Sequence, residues 1–242
     1  MATNWDNGVP NSTKAAQINN GGTAQITSSL ATTSACSLTL GNGENDTGSV
    51  SINGAGRALN VGGHVIVGNA GTGTVSAVNG GAVTSGDLSL AVSDRLFAIS
   101  HGTVTIGGSG STWTVNGKVD VATHGSIGLL TIDSGGTMNI NGNGSTTNNL
   151  VLGVNATTGF GVTSSTAGKI SVQGTATVNG ALVVTFSGIG FTPGTRYTLL
   201  TATGGRTGMF TNVSYINTPS NVCPVIQYDG NNVYLFLQLM CP

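Results

Sequence analysis

The sequence predicts an all-β fold: a parallel β-solenoid with three short strands per coil, about six coils, and a C-terminal antiparallel β capping module. Three observations predict it. Apolar-polar-apolar triplets, closed by Gly-Gly, Asn-Gly or a single Gly, recur along most of the 242-residue chain. They recur in groups of three, which is the signature of a repeat architecture. Gly, Thr, Asn and Ser make up about half of all residues, whereas Glu occurs once and Lys three times, a composition that opposes helix.

The triplets read in order as follows. An irregular first set holds Ala24-Gln-Ile26 and Leu38-Thr-Leu40. Val50-Ser-Ile52, Leu59-Asn-Val61 and Val65-Ile-Val67 make the first regular set, and Val75-Ser-Ala77, Val83-Thr-Ser85 and Leu88-Ser-Leu90 the second. Val104-Thr-Ile106, Trp113-Thr-Val115 and Val119-Asp-Val121 follow, then Leu130-Thr-Ile132, Met138-Asn-Ile140 and Leu150-Val-Leu152. The last set reads as Ile170-Ser-Val172, Ala176-Thr-Val178 and Leu182-Val-Val184. Successive sets are 25, 29 and 26 residues apart, and the step from Leu130 to Ile170 is 40, which predicts inserted material in that coil.

Strands this short bury nothing alone. Stacked at about 4.8 Å per coil they bury one apolar column while each backbone pairs with the coil above and below. Asn53-Gly54, Asn79-Gly80, Asn116-Gly117 and Asn179-Gly180 supply turns that tolerate left-handed backbone. An antiparallel sandwich uses similar strand-turn-strand sequences, but the three-strand period favours the solenoid. Residues 1–35, with Trp5 and Ile18, are read as an N-terminal cap and first strand, 36–186 as the solenoid, and 187–242 as a C-terminal cap and assembly module. In that last segment Asp229-Gly230 signals a hairpin between Val225–Tyr228 and Asn232–Leu239.

Seven basic and eight acidic residues give a net charge of −1, so no basic surface exists to neutralise phosphates, and nucleic acid is excluded as a partner. The mean hydropathy of +0.20 argues against disorder. No apolar run approaches the ~20 residues that span a bilayer as a helix, so no membrane insertion is expected. Met1-Ala-Thr-Asn-Trp5-Asp6 has no basic or apolar leader region, and no signal peptide is expected.

Chemistry is sparse in this reading, and neither an enzyme, a metal nor a cofactor is expected. Aligning coils on the third strand puts His64, Asp87, Lys118, Asn149 and Ala181 in one outward column. Beside it stand Ile66, Ser89, Asp120, Val151 and Val183. Asp87 and Lys118 would form a surface ion pair worth ~0–1 kcal/mol. Asp120 would lack the second carboxyl that glycosidic chemistry requires. Gly43-Glu-Asn-Asp-Thr-Gly48 reads as a solvated turn rather than a calcium loop. His101 and His124 read as stacked corner residues. A flat Thr ladder of the ice-binding kind would run through Ser49/Ser51, Thr74/Ser76 and Thr103/Thr105, broken at Leu129 and at Lys169/Ser171. Ile66, Val151 and Val183 form a candidate apolar stripe for self-association, with a trimer expected. Cys36, Cys223 and Cys241 are an odd set. Cys36 lies too far along the column to meet the others, Cys223–Cys241 fits within the cap, and Cys241 could instead link two chains.

The stretches Gly68-Asn-Ala-Gly-Thr-Gly-Thr-Val75 and Gly108-Ser-Gly-Ser-Thr-Trp-Thr-Val-Asn-Gly117 resemble the strand repeats of bacterial autotransporter passenger domains. Pro193–Ala202, Gly204-Gly205, Gly208-Met-Phe210 and Tyr228–Leu235 resemble the module that closes such passengers. The resemblance covers roughly residues 20–239 and implies a right-handed β-helix with an adhesin or stalk role at the cell surface. The family's signal peptide and membrane barrel are not recognisable here. The leading expectation is therefore a non-enzymatic bacteriophage virion component, a capsid decoration or fibre-like projection made in the cytoplasm and displayed on the virion. An autotransporter adhesin passenger is the alternative, and a polysaccharide-binding or -cleaving spike the second. Expected partners are further copies of the chain, other virion or cell-surface proteins, and surface glycans.

Overall fold

The computed structural model describes residues 9–27, 32–93 and 99–239. Trp5 and Cys241 lie outside them. The described chain winds into three-stranded coils. The first coil is β1 (Ala16–Ile18), β2 (Asn20–Ile26) and β3 (Thr32–Ala35); the second is β4 (Leu38–Leu40), β5 (Thr47–Asn53) and β6 (Ala58–Val61). The third holds β7 (Val65–Asn69), β8 (Thr72–Val78) and β9 (Ala82–Ser85), and the fourth β10 (Leu88–Val92), β11 (His101–Gly107) and β12 (Thr112–Val115). Then come β13 (Val119–Val121), β14 (Ile127–Ile132) and β15 (Thr137–Ile140), followed by β16 (Leu150–Leu152), β17 (Ala156–Val162) and β18 (Lys169–Val172). The seventh coil is β19 (Thr175–Val178), β20 (Ala181–Phe186) and β21 (Arg196–Ala202). A partial eighth has β22 (Gly205–Gly208) and β23 (Asn212–Ile216), and the hairpin β24 (Cys223–Tyr228) and β25 (Asn232–Gln238) ends the described chain.

Strands β1 to β23 pair in parallel with the strand one coil away, so three ladders form. Sheet A runs from β1 to β22 and sheet B from β2 to β23, each with eight strands; sheet C, with nine, runs from β3 to β21 and adds β25 and β24. Seven coil steps at about 4.8 Å give a column of roughly 34 Å. The parallel β-solenoid read from the sequence is the observed fold. Among the described residues, antiparallel pairing is limited to β21–β25–β24 and one bridge between Val162 and Ala167. Within 187–242, β21 completes the seventh coil and β22 and β23 begin an eighth, extending the parallel ladders of β18, β19 and β20.

One set was misread. Leu130 is in register with Thr158 of β17, and Thr158 with Leu182 of β20. The step after Leu130 is therefore an ordinary coil with no insertion. A buried Thr where other coils carry Val or Leu hid β17 from the apolar pattern. Ile170–Val172 consequently belongs to sheet C, Ala176–Val178 to sheet A and Leu182–Val184 to sheet B.

The core is a stack of inward columns such as Leu38, Val65, Leu88, Val119 and Leu150 in sheet A, with the last four fully buried. In sheet C the fully buried Trp113 donates its Nε1–H to Ser85 Oγ at 3.0 Å, which satisfies both polar groups inside the column. At the A–B corner Gly48, Gly73, Gly102 and Gly128 share one register. A Cβ on Gly48, Gly73 or Gly102 would overlap backbone of the neighbouring corner, so close approach there demands glycine.

The last coil is closed by specific groups. Arg206 stacks 4.9 Å over the Tyr228 ring and donates to Asp229 O at 2.9 Å. Arg196 lies 3.5 Å over the Tyr234 ring. Asp229 Oδ1 accepts from the Asn231 and Asn232 backbone N–H groups at 2.8 and 2.7 Å, and its Oδ2 from the Tyr234 hydroxyl at 2.8 Å. The expected Asp-Gly hairpin is thus held by its own aspartate.

Candidate functional site

The polar chemistry of the column gathers at the corner between sheets C and A and on the adjoining face of sheet A. On three successive coils the connection there is short and carries glycine two residues ahead of an inward apolar residue: Gly63 before Val65, Gly86 before Leu88, and Gly117 before Val119. Their peptides stack. Gly86 N–H donates to Gly63 O at 2.8 Å, Gly117 N–H to Gly86 O at 2.9 Å, and Gly142 N–H to Gly117 O at 3.0 Å. A Cβ on Gly117 would fall on the Asp87 carboxylate, and one on Gly86 would approach Gly63 O to 2.8 Å. Glycine backbone therefore forms the floor of this corner, with the Asp87 carboxylate lying against Gly117.

This floor belongs to a groove of about 230 Å³ edged by His64, Asp87, Asn116 and Asn143. Asn143 comes from the longer connection 141–149, where it holds a positive φ of 47°. Asp87 Oδ1 accepts the Lys118 backbone N–H at 2.8 Å, and His64 Nε2 is 2.8 Å from Ser89 Oγ. Asn116 Oδ1 accepts from Asn141 Nδ2 at 3.2 Å.

On the adjoining face Ser89, Asp120 and Val151 are in register, with Ile66 one coil before. Burial holds the Asp120 carboxyl above the usual carboxylate range, against the opposing pull of His124 and Lys118. The charge of Asp87 adds to the rise, so Asp120 is not the isolated acid that the sequence suggested. Among the described residues, His, Cys, Asp and Glu form no group of three suited to a metal.

Several expected neighbours fall elsewhere. His64, Asp87 and Lys118 do stack, since Val65 N–H donates to Asp87 O and Leu88 N–H to Lys118 O. The next member, Asn149, is fully buried rather than outward, and donates to Ser145 O at 2.8 Å. Ala181 is not in this column: it pairs with Thr157 in sheet B. Asp87 engages the Lys118 backbone N–H in place of the expected side-chain pairing. The expected assembly stripe divides. Ile66 and Val151 lie on sheet A with Ser89 and Asp120 between them, whereas Val183 faces outward from β20 in sheet B opposite Gly159. The Thr ladder changes too: Thr157/Gly159 of β17 continues it, and Lys169/Ser171 belong to sheet C. His101 pairs with Thr72 and Ile127 rather than stacking on His124. In the 43–48 turn Asp46 N–H donates to Gly43 O at 3.0 Å.

Cys36 is an exposed free thiol at the C–A corner, where its carbonyl accepts Gly63 N–H at 2.7 Å. Cys223 has an interaction and is not free. Cys241, its expected partner, is outside the described residues. Asn116 and Asn143, which edge the groove, were not read as site residues. The constant two-residue offset of Gly63, Gly86 and Gly117 from the sheet A strands could have pointed to Asn116, whereas Asn143 lies in the longer connection 141–149, where that offset is broken.

No protein-family model matches the chain. A stretch of 100 residues, 41% of the chain, is 34% identical to the Adhesin BmaC autotransporter of Brucella suis biovar 1 (strain 1330). That stretch spans 3% of the length of the Brucella protein. Among the described residues no helix is long and apolar enough to cross a membrane.

Proposed function

We propose that the chain is a non-enzymatic surface element, a stalk- or adhesin-type passenger segment displayed outside a bacterial cell. The observation that carries this reading is the combination of three parallel ladders with a sequence stretch similar to an autotransporter adhesin. A column of stacked, laddered strands presents wide, weakly charged faces at a distance from its attachment point, which is what a stalk requires. The virion role expected from the sequence draws no support from this similarity, which favours the passenger alternative. The apolar stripe expected to hold a trimer is interrupted by Ser89 and Asp120, so the proposal assigns no oligomeric state.

Antibodies against the folded chain test the location. They should label intact cells that express the gene, and protease shaving should remove the label. Labelling confined to purified phage particles, or only to permeabilised cells, would overturn the surface reading. The non-enzymatic part is tested separately: turnover on a polysaccharide panel that disappears in an Asp120→Ala chain would sink it.

A further inference from the structure

The groove at the C–A corner has a chemistry that the stalk role leaves unused. We propose that it binds a neutral, hydroxyl-rich glycan chain laid along the column axis. The inference goes beyond the surface role, because binding by the isolated chain does not depend on where the chain is displayed.

Shape argues first. The lining runs from Gly62 and Gly63 through Gly86 and Gly117 to Asn143, three coil steps or roughly 14 Å, with glycine backbone as its floor and the Asp87 carboxylate lying against Gly117. The long connection 141–149 supplies Asn143 at one end of the groove. Pockets for compact apolar ligands run from about 300 to 1,000 Å³ and are lined mainly by hydrophobic side chains. This groove is smaller, at about 230 Å³, and its side chains are the His64 imidazole, the Asp87 carboxylate and the Asn116 and Asn143 amides, with no aliphatic, phenyl or indole group.

The donor and acceptor inventory then selects the ligand class. Asn116 Nδ2, both polar ends of Asn143 and the second oxygen of Asp87 have no partner among the described residues, and His64 has one ring nitrogen to spare. The set offers donors and acceptors side by side, the pattern that hydroxyl groups satisfy because each both donates and accepts. Charge excludes the competitors. Lys118, in register with Asp87, disfavours a free cation, and Asp87 with the nearby Asp120 disfavours a polyanion.

The test is titration of the ¹⁵N-labelled full chain with maltoheptaose, cellohexaose and mannohexaose in turn, followed by NMR. At least one neutral oligosaccharide should produce saturable shifts at millimolar concentration, confined to the Asn116 and Asn143 side-chain amides and the His64 ring. A sulfated hexasaccharide should bind more weakly. Asn143→Gly, which tolerates the positive φ, and His64→Ala alter exposed residues, so melting should stay unchanged while affinity falls about tenfold. Asp87→Asn retains the oxygen that accepts Lys118 N–H and provides a third variant without a folding risk. The proposal is overturned if none of the three neutral chains moves these signals, if the shifts map to sheet B, or if the folded variants bind as well as the parent.

Discussion

Single residues decide where this repeat departs from its pattern. Thr158 occupies an inward position of sheet B between Leu130 and Leu182, and its buried Oγ1 has no partner. A buried unmet hydroxyl costs about 1–3 kcal/mol, and a Val of nearly the same shape removes it. Thr158→Val should therefore raise the denaturation midpoint; an unchanged or lowered midpoint would show that the hydroxyl is satisfied by water. Asp229 acts in the opposite direction. Backbone N–H groups of its own turn, with the Tyr234 hydroxyl, lower its carboxyl to about 2. A depressed carboxylate contributes stability above its unfolded value near ~3.9 and loses it as pH falls through the folded value. NMR signals of Asn232 and Tyr234 should shift between about pH 4 and pH 2, ahead of the core, and Asp229→Asn should abolish that step. Cap signals indifferent to acid would refute this account.

Among the elements, the A–B corner is the most tightly specified. Gly48, Gly73, Gly102 and Gly128 repeat in register because the strand leaving sheet A passes against the backbone that enters sheet B. Gly102→Ala should cost about 1–3 kcal/mol by overpacking, read as a lowered midpoint. Gly62→Ala is the control, since the nearest atom to its Cβ would be Cys36 O at 3.9 Å, and it should be nearly silent. Equal effects at both positions would remove the close-approach explanation. These corner glycines and the inward Val, Leu and Ile residues made most coils legible in the sequence. The sixth coil was not legible, because Ala156-Thr-Thr-Gly-Phe-Gly-Val162 carries a polar residue in an apolar slot. That one substitution shifted every later strand to the wrong sheet and sent Val183 and Lys169 to the wrong faces.

For the whole molecule, the striking scarcity is charge. With seven basic and eight acidic residues in 242, little of the stability can be ionic. Stability should rest on the buried columns and the ladder hydrogen bonds, neither of which salt screens. The urea midpoint should accordingly move little between about 0.05 and about 0.5 M sodium chloride. A marked fall would reveal charge networks that the fold does not display. The C-terminal hairpin matters at this scale as well, since β24 and β25 cover the end of sheet C and supply the Tyr228 and Gly230 contacts that hold β22.

The sequence by itself determined the three-strand coil, its glycine corners, the parallel stacking and the hairpin near the end. Each of these is set by residues close together in the chain and repeated often enough to be recognised. Beyond the His64, Asp87 and Lys118 column, which the repeat already aligned, only the tertiary structure decided which residues of different coils become neighbours. Coil length varies, and a single misplaced coil changes every later lateral contact. For that reason the groove of His64, Asp87, Asn116 and Asn143, built from four connections, emerged only when the coils were stacked.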